Sequence, residues 1–309
     1  MEIELTRLGK HSLVVGAPIM PAAGTFGYGD RYHKLLKVEK FGAIVTDPVT
    51  YPPRRTNKKP HVVPLPGGML LTSGLPNPGA RNVVKTYQGT WSNLPVPVIV
   101  HVWGATPPEV RRCVRAITAC PDVAGIELGI HDNSSADEVY AYIQAVLETT
   151  QLPLLVRLPL ERAVELAPVV AVSDAGAVVV GAPPRGTGRD PVTGQMVSGR
   201  IFGPLVKPLA VRTVEQVVRQ VERDALPVIG AGGIHSVQDA RDFIEVGARA
   251  VQVDSVLWVR PKQAEIIARN LGGLELTRAS NAYPDEWFPG MGITNQHEQI
   301  PPPPEDLPE

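Results

Sequence analysis

The segment Gly230-Ala231-Gly232-Gly233-Ile234, followed by Ser236, has the residue types of an anion cradle. Glycines let a backbone approach a charged group closely, and free N–H groups at a helix start point at it. The same glycines also suit a plain tight turn between a strand and a helix. Further on, Val251-Gln252-Val253-Asp254-Ser255 offers a hydroxyl at Ser255 and, beside it, a carboxylate at Asp254. Two like charges about 6 Å apart at an effective dielectric near 20 repel by roughly 3 kcal/mol. A phosphate at this place therefore needs Asp254 turned away or neutralised by an arginine. The second candidate centre is His131-Asp132, in the run His-Asp-Asn-Ser-Ser. A carboxylate in a dry site can act as a base if burial raises its pKa, and an imidazole titrates near neutrality. Both residues also suit a polar loop that caps the next helix. Arg185, Arg189 and Arg200 share one segment, where they could gate an anionic ligand or compensate Asp254. No metal site is expected: the two cysteines, Cys113 and Cys120, form no Cys-x-x-Cys pair.

These residues need a scaffold. Short apolar runs predict strands at 17–22, 42–47, 97–103, 123–130, 153–159, 176–182, 227–231 and 249–255. Continuous apolar strands alternating with helices specify a parallel sheet buried on both faces. Eight such units point to closure, giving a single α/β (β/α)8 TIM barrel. The alternative, an open doubly wound sheet, calls for a glycine fingerprint after its first strand. In a barrel the loops after strands seven and eight are the frequent phosphate site, which is where Gly232, Gly233 and Ser255 fall. Helix starts are marked by Thr106 with Glu109, Ser135 with Glu138, and Ser236 with Asp239. The helix near 204–223 is expected to bury Val206, Leu209, Val214, Val217, Val218 and Val221, and the seventh helix Phe243 and Ile244. Cys113 and Cys120 fall on one expected helix about 10 Å apart, too far for a disulfide, and read as small buried hydrophobes. Trp91, Trp103, Trp258 and Trp287 read as packing residues, with Trp103 at the active end of strand three the exception.

Composition narrows the class. Lys and Arg number 30 against 31 Asp and Glu, so nucleic acid and acidic membrane surfaces are poor partners. Arg54-Arg55 and Lys58-Lys59 form one basic patch, read as a solvated loop. The start MEIELTRLGK lacks a secretion pattern, and no run of about 18 apolar residues spans a bilayer, so a soluble cytoplasmic protein is expected. Two stretches rich in Pro and Gly, 48–82 and 183–203, interrupt the alternation and are expected as long loops over the carboxyl face. The barrel domain is expected over 1–283. Residues 284–309, ending IPPPPEDLPE, read as an acidic, proline-rich arm that packs no core.

A family resemblance then emerges. Met20-Pro21-Ala22-Ala23-Gly24-Thr25-Phe26-Gly27-Tyr28-Gly29 resembles the amino-terminal signature of class 1 dihydroorotate dehydrogenases, especially the type that pairs with an iron–sulfur flavoprotein subunit. The likeness continues in Gly42-Ala43-Ile44-Val45-Thr46, Gly68-Met69-Leu70, Gly74-Leu75-Pro76-Asn77-Pro78-Gly79, Gly203-Pro204-Leu205-Val206-Lys207-Pro208-Leu209-Ala210 and Pro227 to Ile234, spanning about residues 10–270. It implies an FMN-binding barrel that moves hydride to or from a small ring substrate, as a homodimer. Carried over residue by residue, it implies flavin contacts at Ala22, Ala23, Gly24, Thr46, Arg157, Gly203, Gly232, Gly233 and Ser255.

The departures fall on the chemistry. A lysine beside the family's flavin aligns with Asp47, and a second with Arg157, which could still stabilise negative charge on a reduced flavin. The family's Ser-Gly at the flavin is Phe202-Gly203, and its strand-eight glycine is Asp254. Substrate asparagines align with Leu71, Gly129 and Ser134, the Asn-Thr after strand six with Gly181-Ala182, and the cysteine base with Asp132. Each donor lost leaves a buried polar group of the substrate unpaired at roughly 1–3 kcal/mol, which argues against orotate chemistry. Three readings follow. The first is an FMN oxidoreductase with a changed small-molecule substrate and Asp132 or His131 as base. The second is a non-catalytic barrel acting as a regulatory or assembly partner. The third is a flavin-free barrel that binds a sugar phosphate.

Overall fold

The computed structural model describes residues 2–7, 12–32, 34–55, 61–221 and 225–272. All eight expected strands are present: β1 (Ile19–Pro21), β2 (Ile44–Val45), β3 (Val98–Val102), β4 (Val123–Gly129), β5 (Leu154–Pro159), β6 (Ala177–Ala182), β7 (Val228–Ala231) and β8 (Ala250–Val253). They form one eight-stranded sheet in the order β1-β8-β7-β6-β5-β4-β3-β2, with every pair parallel. Between β1 and β2 the strands come together just before β2 starts: Gly42 N donates to Ile19 O at 2.8 Å. A Cβ on Gly42 would lie 2.0 Å from Ala17 O, so only glycine lets the two segments meet. The result is a (β/α)8 barrel.

The amino end of the barrel is plugged. Ile3–Glu4 pairs antiparallel with Val14–Val15, and Leu5, Leu13 and Val15 pack against Met20, Val45, Ile99, Leu155, Val179 and Ile229. Chemistry is thereby confined to the opposite, carboxyl end.

The helices are α1 (Ala80–Trp91), α2 (Pro107–Ile117), α3 (Ala136–Leu147), α4 (Ala163–Ala171), α5 (Lys207–Val221), α6 (Val237–Glu245), α7 (Val256–Val259) and α8 (Pro261–Gly272). The expected caps close three of them. Thr106 and Ser236 accept from the backbone of Glu109 and Asp239, and Ser135 with Glu138 forms a reciprocal capping box. Two expectations are corrected. Leu209 is 47% exposed, because the buried stripe of α5 runs through Ala210, Thr213, Val214, Val217 and Val221. Helix α2 ends at Ile117, so Cys120 lies beyond it, although both cysteines are buried and free.

The two long segments over the carboxyl face are more regular than expected. His61–Leu65 with Gly68–Thr72, and Arg185–Arg189 with Met196–Phe202, each form an antiparallel ladder. Pairing of 68–72 with 196–202 joins them into one four-stranded sheet. The arm expected at 284–309 lies outside the described residues. No helix among the described residues is long and apolar enough to cross a membrane.

Candidate ligand site at the carboxyl face

Inside the carboxyl end, four buried polar side chains from four strands meet. His101 (β3) shares a 2.8 Å hydrogen bond between Nδ1 and Glu127 Oε1 (β4). Gln252 (β8) donates through Nε2 to Glu127 Oε2 at 2.5 Å. Arg157 (β5) donates to Gln252 Oε1 and to Gly181 O (2.8 Å), with Nη1 3.7 Å from Glu127 Oε1. Burial pushes the Glu127 carboxyl up, but the hydrogen bond from His101 and the charge of Arg157 outweigh it and hold the group below the usual carboxylate range. The four residues thus form a balanced floor rather than a set of free reagents.

Above this floor lies a cavity of about 510 Å³, within the range of small-molecule sites. Ala23 and Gly24 edge it from the β1 loop, and Trp103, His131 and Asp132 from the loops after β3 and β4. Arg185, Arg200 and Phe202 come from the four-stranded sheet, and Arg54 from the segment before it. The Arg54 guanidinium stacks 4.5 Å from the centroid of Trp103, whose ring lies 4.3 Å from that of His131. His131 Nε2 is 2.7 Å from Gly104 O, so this nitrogen carries the proton.

Asp132 is ion-paired twice. Arg185 Nε donates to Oδ2, and Arg200 Nη2 lies 2.8 Å from Oδ1. Burial raises its pKa, but the Arg185 hydrogen bond and the Arg200 charge dominate and hold it below the ordinary value. A dry site therefore does not make this carboxylate more basic, because two guanidiniums supply the opposite and larger effect. Neither arginine compensates Asp254, and Arg189 bonds Gly194 O instead.

The glycine loop occupies a second place. Gly232 and Gly233 have φ of 117° and 74°, and their N–H groups donate to no acceptor among the described residues. The loop is fixed from α6, where Asp239 accepts from His235 N at 3.0 Å and pairs with Lys207 of α5. Ser255 Oγ is 2.9 Å from His235 Nε2. Asp254 is buried and turned onto its neighbour, accepting from both the amide and the hydroxyl of Ser255. Gly203, with φ 116°, packs on Gly68.

The expected site residues thus divide. Ala23, Gly24, Arg157, His131 and Asp132 line the cavity, whereas Ala22, Thr46, Gly203, Gly232, Gly233 and Ser255 do not. Ala22 N bonds Val253 O, and Thr46 Oγ1 accepts from His101 N, so both serve the barrel wall. Phe202 and Trp258 also line the cavity and are in edge-to-face contact at 4.9 Å. Asp47 points away from the cavity and accepts from Gly27 N, stapling the β1 loop. The sequence alone does not single out Arg54, expected there as a solvated charge, or the trio His101, Glu127 and Gln252. The signal for the trio was present: a polar residue inside each of three otherwise apolar strands. Among the described residues no group of three His, Cys, Asp or Glu side chains is placed to hold a metal ion.

The sequence model of the family described as Dihydroorotate dehydrogenase matches residues 12–274. The chain is 35% identical over 273 residues to the "Dihydroorotate dehydrogenase B (NAD(+)), catalytic subunit" of Geotalea uraniireducens (strain Rf4), covering 82% of this chain and 88% of that one. It is 36% identical over 282 residues to the protein of the same description from Trichlorobacter lovleyi, covering 84% and 90%. Among solved structures, that of DHODH in complex with ferulenol from Eimeria tenella superposes with a TM-score of 0.72 at 16% identity, covering 86% of this chain and 83% of that one, a likeness of fold.

Proposed function

The chain belongs to the dihydroorotate dehydrogenase family, and we propose that it is a flavin oxidoreductase whose small-molecule substrate is not dihydroorotate. The observation that carries this is the cavity over Ala23, Gly24 and Arg157 at the carboxyl end of the barrel. FMN, when bound, supplies hydride chemistry at its ring. The residues fit the two ends of that group unequally. At the ring end, a Cβ added to Gly24 would meet only Pro48 Cδ, at 3.8 Å, and Ala23 offers equally little bulk. Arg157 lines the same cavity, its charge balanced by Glu127 of the floor. At the phosphate end, the free amides of Gly232 and Gly233 and the Ser255 hydroxyl suit an anion. There the Asp254 carboxylate would have to release the Ser255 donors, and Gly232, Gly233 and Ser255 do not line the cavity.

The change of substrate rests on the space left by small residues. A Cβ at Gly129 would lie 2.8 Å from His101 Nε2, so the imidazole fills the volume an asparagine side chain would need. A Cβ at Gly181 would lie 2.2 Å from Ala231 O, which leaves no room for a side chain there. Asp132 and His131 remain the candidates to take a substrate proton. For Asp132 this requires substrate to draw Arg185 or Arg200 away first.

The absence of the glycine loop from the cavity lining and the Asp254 carboxylate favour a second reading, a non-catalytic, flavin-free barrel that acts as a regulatory or assembly partner. One measurement separates the two. Purified full-length protein incubated with FMN and desalted should be yellow, with one flavin per chain. Protein that stays colourless removes the oxidoreductase. We extend the family likeness to a cytoplasmic location, a homodimer and an iron–sulfur flavoprotein subunit as partner, and we read 1–283 as one barrel domain bearing the arm 284–309.

A further inference from the structure

We propose that the cavity selects a small dicarboxylate, with its unsaturated or apolar body against Trp103 and its two anionic groups held by Arg54 at one side and by Arg185 and Arg200 at the other. The inference rests on the cavity being the ligand site and names the class of molecule it takes.

Charge is the main argument. Four arginines line the cavity, but Arg157 faces Glu127 and spends its donors on Gln252 and Gly181. The other three, Arg54, Arg185 and Arg200, face one carboxylate, Asp132, which leaves an excess of two positive charges. Glu161 accepts from the Arg185 backbone N–H but is not among the residues lining the cavity. Arg54 makes no ion pair among the described residues, and its guanidinium lies over the face of Trp103. Arg185 uses only Nε on Asp132, so both of its Nη groups are without a described acceptor. Arg200 uses Nη1 on Pro183 O and Nη2 on Asp132.

Placement supports the same conclusion. A contiguous line runs from Arg54 through Trp103 to His131, and its neighbour Asp132 holds the other two guanidiniums. The aromatic pair gives a flat body a surface to lie on, with a charged fork at each end. Guanidinium forks match planar carboxylates in bidentate geometry, where a lysine would act only as a point charge. A monoanion would leave one of the two excess charges uncompensated in a site that ligand binding dries out.

The test uses calorimetry on the purified full-length chain with two pairs of probes, isophthalate against benzoate and fumarate against crotonate. In at least one pair the diacid should bind roughly 10-fold tighter than its monoacid, as one further charge-assisted hydrogen-bond pair implies. The preference should shrink as salt is raised. Arg54→Gln and Arg185→Gln should each abolish it while the thermal unfolding midpoint stays put, since neither guanidinium packs the core. Diacids that bind no better than monoacids in both pairs, or no binding by any probe, overturn the proposal. Flavin is read separately by visible absorbance. Colourless protein that prefers diacids keeps this inference and loses the flavin one, and yellow protein with no such preference does the reverse.

Discussion

At the scale of single residues, Asp254 decides how an anion meets the glycine loop. Its carboxylate already takes the amide and hydroxyl of Ser255, the donors a phosphate would use. It therefore competes twice, by occupying donors and by like charge. Asp254→Asn removes the charge and keeps the shape. Repulsion of roughly 3 kcal/mol at about 6 Å corresponds to an affinity gain of about 100-fold for FMN. Flavin fluorescence quenching on titration measures it. Equal affinity in the folded variant and the parent would show that the charge is not the obstacle. Asp132 shows the same physics with the opposite sign. Burial alone would make it a base, yet Arg185 and Arg200 make it a stable anion. A residue's type and its neighbours in sequence did not reveal this, because the guanidiniums come from 53 and 68 positions away.

At the scale of elements, the alternation of apolar runs and capped helices was legible, because strand burial and helix capping are local and periodic. All eight strands and three helix starts lie where the sequence puts them. The four-stranded sheet over the cavity was not legible. Its two hairpins are local, but the ladder that joins them pairs 69–71 with 200–202, and Pro64, Gly68, Gly186, Gly188 and Gly199 within its strands resemble loop composition. Arg54 was missed for the same reason, since only the fold brings it over Trp103. Glycines separate by role at this scale. Gly42 sits where β1 and β2 close, with Ala17 O in the way of any Cβ, whereas Gly89 in α1 has nothing within 4 Å. Gly42→Ala should destabilise by about 3 kcal/mol, and Gly89→Ala should stabilise by up to about 1 kcal/mol. Urea midpoints at constant slope measure both. A harmless Gly42→Ala would mean that the barrel closes by other contacts.

At the scale of the whole molecule, the amino end is sealed by apolar packing and the carboxyl end by the charged floor of His101, Glu127, Arg157 and Gln252. The floor ties β3, β4, β5 and β8 across the barrel, so its loss is felt beyond one strand. Glu127 is its only carboxylate, fully buried, and its pKa in the folded chain lies below the model-peptide value of 4.5. A depressed folded pKa adds stability above the unfolded value, and that stability is lost as pH falls through the folded one. The contribution of Glu127 is therefore constant from pH 7 down to about pH 5 and declines below 4.5. Asp132 and Asp239, also held low, decline over the same acid range, so the wild-type curve alone does not isolate Glu127. Comparison with Glu127→Gln does. At pH 7 the variant leaves Arg157 buried without its counter-charge and should lose about 3–5 kcal/mol. As pH falls below 4.5 the gap between the two proteins should narrow, because protonation then removes the same charge from the wild type. Urea denaturation at pH 7, 5 and 3.5 reads the gap directly. A gap that stays constant across that range would mean that the floor is held by shape and neutral hydrogen bonds, with the ion pair contributing nothing that pH can remove.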